Sequence, residues 1–509
     1  MIRIDQLALR SAVDEILNRR PAVGLAVGVA HEGRLAFFHG HGVADIARRV
    51  PVTPDTVFRV ASITKTFTAI AAMQLWEQSR IELDAPANDY LRSFRLVPAH
   101  PRQRPATIRH LLTHTAGIRE VPHARGLLRP VFGEAVKPGR RVPTLAEAYR
   151  DGLLIEWEPG TRWRYTDHGP ATVGQIVEDV SGQPFDDYLR DQVFAPLGMT
   201  ASGTSANFPQ MPGMATGYQV GRHGVTIVPE YGMATGGASC GYSTPADMAR
   251  YLAALLGGGR NEHGAVLKPE TLDMMYQSHF RPDPRIAGMG LGFWLGRTGG
   301  HRFAEHGGVL PGFHSQIFVA PDDGVGVMAF TNGSRDAMFW LPGSMATIMN
   351  DVLGVPGETV RTDVPQQPAI WGELCGWYRL PGPLTDARAR LAMGAGMEVL
   401  VRDGRLVLRI MSPIPALLRG FELHPDDVDD PYAFRIDMSE LGIGTGRILF
   451  GKEPGAADHS PATAAHFDLT PMTAYRRRAI TNPRPWVQGA AAALTGAAGY
   501  GLVRRLGRR

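Results

Sequence analysis

In the first twenty residues, Leu7, Leu9, Val13, Ile16 and Leu17 recur at helical spacing, which predicts an amphipathic helix. The pattern then changes. AVGLAVGVA and RLAFFHGHGVA flank His31-Glu32-Gly33, and two β-rich runs around a short Gly-bearing turn predict a hairpin. Far downstream, FHSQIFVA and VGVMAFTN flank the turn at 321–324 in the same way. Between these hairpins the period is mostly helical, in TKTFTAIAAMQLWEQS, in ATVGQIVEDVSG with its terminal glycine, and in PADMARYLAALLGGG. Strands at both ends and helices between them predict one large domain whose ends share a sheet.

Beyond residue 356 the pattern shifts again. The segment at 357–370, GETVRTDVPQQPAI, is polar and proline-bearing and reads as a linker. EVLVRDGRLVLRI then places Asp403-Gly404 between two β runs, a strong hairpin signal. YAFRIDM, GRILF and AAHFDLTPM continue the series, so a small β-barrel or sandwich is expected over 371–478. The remainder, 479–509, holds the Ala- and Gly-rich stretch WVQGAAAALTGAAGYGLV and a basic end. Trp486 and Tyr500 suggest membrane-interface anchors, but the stretch is weakly apolar. A surface or disordered tail is the leading expectation, and a weak membrane contact the second.

Composition narrows the function classes. The 509 residues carry a formal charge of only +4, with 44% hydrophobic and 20% charged residues, as in an ordinary folded protein. No basic cluster interleaves with aromatics, so no nucleic-acid partner is expected. The first residues lack an unbroken apolar core and a small-residue cleavage site, which makes the cytoplasm the expected location. Two cysteines, Cys240 and Cys375, make a disulfide framework unexpected. His110 and His114 stand four apart, but no H-E-x-x-H pattern completes a metal pair. GIGTG at 442–446 does not run on as G-x-G-x-x-G into a helix. Neither a metal nor a cofactor is expected.

One residue type stands out. The chain has four lysines among its 53 basic residues, and one of them, Lys65, lies in the apolar run VASITKTFTAIAA. A guanidinium does not give up its proton, whereas an ammonium can. Ser62 stands three residues earlier, on the same face of a helix. A serine hydroxyl needs a base to become a nucleophile, and desolvation lowers a lysine pKa toward that role. If Ser62 opens the helix, its own N–H also points toward an attacked carbonyl. A capping serine and a surface lysine would give the same letters.

The surrounding sequence resembles the serine β-lactamase and penicillin-binding-protein superfamily, with class C β-lactamases, family esterases and D-aminopeptidases as the nearest types. TVFRVASITK, TIRHLLTHTAGI, the stretch from EPGTRWRYTDHG to FAPLGM, GGASCGYSTPADMARYL and HGGVLPGFHSQIFVAPDDGVGVMAFTN match in order. The resemblance implies an α/β (α+β) fold: an antiparallel sheet flanked by helices, with an all-helical subdomain, over 1–356. It further implies a lipocalin-like barrel at the C-terminus. Ser62 and Lys65 take the catalytic positions, and Tyr165 takes that of the Y-x-N tyrosine that relays the proton. The third position of that motif is Asp167, which accepts hydrogen bonds where asparagine would donate one. It is also placed to pair with Lys65 and hold it charged. The K-T-G motif reads His306-Gly307-Gly308, so histidine replaces a permanent cation with a group that titrates easily. The two glycines are expected to leave room for substrate, and Val309 to supply an oxyanion N–H.

These residues imply a cofactor-free serine hydrolase working through an acyl-enzyme on a small ester, with D-amino-acid peptides or β-lactams as the alternative substrates. A non-catalytic binding or scaffolding member of the same family is the rival of another class. The oligomeric state has no sequence signal.

Overall fold

The computed structural model describes residues 2–120, 135–207, 211–381, 396–453, 455, 457 and 459–482. Its contacts divide the chain into two compact units. One holds Met1–Thr359 with Asp437–Gly446 and Phe467–Met472, and the other holds Val360–Ile436, Arg447–His466 and Thr473–Arg509.

The first unit is built on a seven-stranded antiparallel sheet. Its strands lie in the order Trp294–Thr298, His301–Leu310, Phe313–Ala320, Val325–Thr331, Gly24–His31, Arg34–Asp45, Val50–Pro51. Leu25 pairs with Thr331 and His31 with Val325, so the two predicted hairpins meet in the middle of the sheet. Side chains alternate across it with period two. Leu25, Val27 and Val29 enter one core with Leu9, Val13 and Leu17 of the helix Gln6–Arg19. Ala26 and Ala30 enter the other core, with Phe67, Ile70 and Met73. A sheet covered on both faces explains why Gly24–His31 is apolar almost throughout.

The first helix departs from expectation at one position. Leu7 is 80% exposed, because Asp5 caps the helix through the backbone N–H groups of Leu7 and Ala8 and the buried stripe begins at Leu9.

The helix Thr64–Glu77 is buried on every side from Thr64 to Leu75. It packs against the helix His168–Ser181 and the short helix Gly236–Ser239, and an all-round apolar sequence is what such a central position requires. Gly182 closes its neighbour with φ of 78°, a left-handed stop that glycine adopts without strain. The helical region also carries short strands that its sequence pattern does not reveal. One set, Phe58–Ala61, Gly241–Ser243 and Gly203–Thr204, forms a small sheet at the mouth of the central helix.

The second unit is built on a nine-stranded sheet, entered from Gly376–Arg379. Asp403 and Gly404 have φ of 51° and 72° in the hairpin Met397–Arg402/Arg405–Ile410, as a two-residue turn of this kind requires. The edge strands, Phe421–Glu422 and His424–Pro425, are separated only by Leu423. A sheet whose first and last strands are that close along the chain must curl back on itself, so it forms a nearly closed barrel.

Both cysteines are free. Among the described residues no helix is long and apolar enough to cross a membrane. Trp486 and Tyr500 of the tail lie outside the described residues.

Candidate active site

The strand Phe58–Ala61 leads to Ser62, and Gly241 of the neighbouring strand pairs with Ala61. Ala61 has φ of 50°, a left-handed conformation that costs a residue with a Cβ about 1 kcal/mol. Strain of this kind concentrates where a functional group must be aimed. The helix then starts at Thr64, two residues after Ser62, and no side chain caps it. Ser62 therefore neither opens nor caps the helix. Its hydroxyl accepts a hydrogen bond from Lys65 Nζ at 2.9 Å.

The Lys65 side chain is 1% exposed. Its ammonium donates to Ser62 Oγ at 2.9 Å, Asp167 Oδ1 at 2.6 Å and the Ala238 carbonyl at 2.9 Å. Three hydrogens thus meet three acceptors. Burial alone pushes Lys65 down, but the Asp167 carboxylate, aided by Tyr165, reverses this and holds the ammonium above the usual lysine range. The expectation of a lysine made basic by desolvation is thereby corrected, and the pairing with Asp167 prevails. Burial also raises the Tyr165 phenol, against the opposing pull of Lys65. At rest, then, the ammonium is charged and the phenol neutral.

Rings enclose this cluster. Lys65 Nζ lies 4.9 Å from the centroid of Tyr165. Tyr165 packs on His114 at 4.6 Å and on Trp294 at 5.8 Å between centroids. The loop bearing Tyr165 is pinned by Arg164, which stacks 4.0 Å over Trp157 and pairs with Glu156 at 3.0 Å.

His306 is fully buried and stacks on Trp294 at 5.1 Å. Burial, and then the charge on Lys65, push its imidazole down to about 3. It therefore stays neutral throughout the physiological range, which corrects the expectation of an easily titrated group. Nδ1 faces the Gly307 carbonyl at 2.7 Å, so it carries the proton and Nε2 a lone pair.

Protein neighbours leave no space for a side chain at Gly307 or Gly308. A Cβ on Gly307 would lie 2.6 Å from Gln316 Oε1. On Gly308 it would lie 2.3 Å from both Ser315 Oγ and the Val60 carbonyl, which are themselves hydrogen-bonded at 2.8 Å. Gly308→Ala is accordingly expected to cost about 1–3 kcal/mol by overpacking and to displace the strand that aims Ser62. Urea titration and turnover should both fall, and wild-type values in both would refute the packing argument. Val309 follows on the same strand. Trp294–Thr298 pairs with that strand only from His301 to Glu305, so the edge at 306–310 has no strand partner on that side among the described residues.

His110 caps its own helix through Thr107, and the backbone N–H of Thr166 donates to His114 Nδ1 at 3.4 Å. These roles are structural, and among the described residues no three metal-ligating side chains converge. Sequence reasoning missed the Ala238 carbonyl and the Trp294 ring. A backbone acceptor has no sequence signal, whereas Trp294 is an aromatic beside glycines in LGFWLG.

A pH prediction follows from the Lys65 pairing. Removing the carboxylate removes the largest influence holding the proton on Lys65. Asp167→Asn should therefore move the rising limb of kcat/KM against pH toward lower pH. An unmoved limb would show that Lys65 does not control it.

A family model described as Beta-lactamase matches residues 9–343. A D-aminopeptidase of Gluconobacter oxydans is 28% identical over 368 residues, which cover 72% of this chain and 65% of that protein's length. Esterase EstB of Burkholderia gladioli is 31% identical over 205 residues, covering 40% of this chain and 52% of the relative. Among solved structures, the octameric penicillin-binding protein homologue from Pyrococcus abyssi has a similar fold, with a TM-score of 0.60 at 22% identity over 93% of this chain and 100% of that one. With the matched region spanning both hairpins of the sheet and the helix behind Ser62, this chain belongs to the beta-lactamase family of serine hydrolases.

Proposed function

We propose that the protein hydrolyses small carboxylic esters through an acyl-enzyme on Ser62. The observation that carries this reading is the 2.9 Å hydrogen bond between Lys65 Nζ and Ser62 Oγ inside a buried cluster. Ser62 Oγ attacks the ester carbonyl. The Ser62 proton passes to Lys65 as Lys65 gives one of its own to Asp167 across their 2.6 Å contact, and Tyr165, which shares the base role as a relay, regains from this store, through Lys65, the proton it gives to the leaving group. Backbone N–H groups of Ser62 and Val309 stabilise the oxyanion. Tyr165 protonates the departing alkoxide, and water then cleaves the acyl-enzyme.

Two features support an ester over a carboxylated peptide or a β-lactam. Asp167 cannot donate to an amide carbonyl, and neutral His306 cannot grip a carboxylate. The second reading, turnover of D-amino-acid amides, is supported by the D-aminopeptidase relative. A non-catalytic role is supported by the charged resting state of Lys65.

A labelled fluorophosphonate separates enzyme from scaffold, because only an activated serine reacts. A panel of p-nitrophenyl esters, D-amino-acid p-nitroanilides and a chromogenic cephalosporin then separates the substrates. Labelling with fastest turnover of esters is expected. Absence of labelling would overturn the hydrolase reading, and faster anilide or cephalosporin turnover the ester reading.

A further inference from the structure

Ala61, strained at φ of 50°, is held by the first residue of the central helix, Thr64. Thr64 is fully buried. Its Oγ1 donates to the Ala61 carbonyl at 2.5 Å and accepts from the backbone N–H of Gly241 at 2.8 Å. With Gly241 as the donor on one side, the single hydroxyl hydrogen goes to Ala61. Gly241 has to be glycine for this contact, since a Cβ there would lie 2.6 Å from Thr64 Oγ1.

The carbonyl held by Thr64 and the N–H of Ser62 belong to one peptide unit. That unit is planar and trans, so its C=O and its N–H point in opposite directions. Fixing the Ala61 carbonyl on Thr64 therefore fixes the direction of the Ser62 N–H, away from the start of the helix. Among the described residues no backbone acceptor takes that N–H. A left-handed alanine persists only where its neighbours over-determine it. The Thr64 hydroxyl and the pairing of Ala61 with Gly241 supply that constraint.

Resting on the hydrolase reading above, in which the Ser62 N–H stabilises the oxyanion, we infer that Thr64 is the positioning residue of the oxyanion hole. Its hydroxyl carries no proton to or from the substrate. It holds the Ala61–Ser62 peptide so that the N–H meets the carbonyl oxygen as negative charge develops there, where such a contact lowers the barrier most. Thr66 provides a contrast within the same helix. It is equally buried, its Oγ1 donates to the Ile63 carbonyl at 2.7 Å, and the Tyr251 hydroxyl donates to it at 2.8 Å. The peptide that Thr66 holds, however, carries the N–H of Thr64 and not that of Ser62.

The test compares p-nitrophenyl acetate with its thiono analogue, in which C=S replaces C=O and the leaving group is the same. Sulfur is a weak hydrogen-bond acceptor, so a well-aimed N–H favours the oxygen ester. The readout is the ratio of the two kcat/KM values within one protein, in which a general loss of active enzyme cancels. Thr64→Val removes the hydroxyl and keeps the shape. It should lower the oxygen-to-sulfur ratio at least about tenfold, a part of the roughly 10²–10³-fold loss when a whole oxyanion donor is deleted. Thr64→Ser should restore the wild-type ratio, and Thr66→Val should keep it. A folded Thr64→Val with the wild-type ratio overturns the inference, whatever its turnover, and leaves the hydrolase reading standing. A Thr66→Val ratio that falls as far overturns it too, because any lost buried hydroxyl would then do the same. If Thr64→Val does not fold, Gly241→Ala decides, since its methyl group displaces the Thr64 hydroxyl. A lowered ratio there supports the inference, and an unchanged one overturns it. If a fluorophosphonate labels Ser62 but neither ester turns over, the labelling rates of the P=O reagent and its P=S analogue provide the same ratio. If Ser62 is never labelled and no ester turns over, the hydrolase reading falls, and this inference with it.

Discussion

Ser62→Ala is expected to abolish fluorophosphonate labelling and to lower ester turnover by at least about 10⁴-fold, the scale lost when an activated nucleophile is removed. The fold should persist. Ser62 neither caps the helix that follows it nor ends the strand before it, and the strained turn is at Ala61. The main structural change is at Lys65, which loses one of three acceptors, and water entering the vacated space can replace it. Circular dichroism and a melting curve close to wild type, together with lost turnover, are the expected pair of results. Wild-type turnover in this variant would exclude Ser62 as the nucleophile. Lost turnover with lost structure would instead mean that the hydroxyl holds the turn.

Lys65→Arg is expected to be nearly as damaging, about 10³-fold in kcat, within the range that general acid–base groups contribute. The substitution keeps the charge beside Asp167 and removes the ability to cycle a proton. Size also counts against it. The ammonium sits in a fully buried position whose three acceptors, Ser62 Oγ, Asp167 Oδ1 and the Ala238 carbonyl, surround a single nitrogen. A planar fork cannot satisfy that arrangement. Lys65→Met separates the effects, because it fills the space without charge. It should be as inactive as the arginine variant, and less stable than wild type by about 1–3 kcal/mol, the cost of a buried acceptor left unsatisfied. Measuring kcat and urea midpoints for both variants checks this. An active arginine variant would make Lys65 an electrostatic partner of Ser62 and leave the proton to Tyr165.

Local chemistry made parts of this molecule legible from its letters. The hairpins around His31-Glu32-Gly33 and Asp403-Gly404 announce themselves because a turn needs particular residues at adjacent positions. Gly182 marks a helix end for the same reason. The short strand Gly241–Ser243 was silent, because three residues carry no period and exist as a strand only through pairing with Phe58–Ala61.

The candidate site divides along the same line. Sequence by itself determined that Ser62 and Lys65 are three residues apart, that Tyr165 and Asp167 come from one distant segment, and that His306-Gly307-Gly308 comes from another. Residues three apart across one tight turn, closed here by the Lys65 N–H on the Ser62 carbonyl at 3.0 Å, stay close whatever the rest of the chain does. Only the tertiary structure decided the state of those groups. Lys65 keeps its proton because Asp167, 102 positions later in the chain, lies 2.6 Å away. His306 stays neutral because it is buried against Trp294 and near the Lys65 charge. Gly308 is glycine because Val60, from the opposite end of the domain, occupies the place of its Cβ. Charge state and close packing are set by everything within a few ångströms, and those neighbours come from segments that are far apart in sequence.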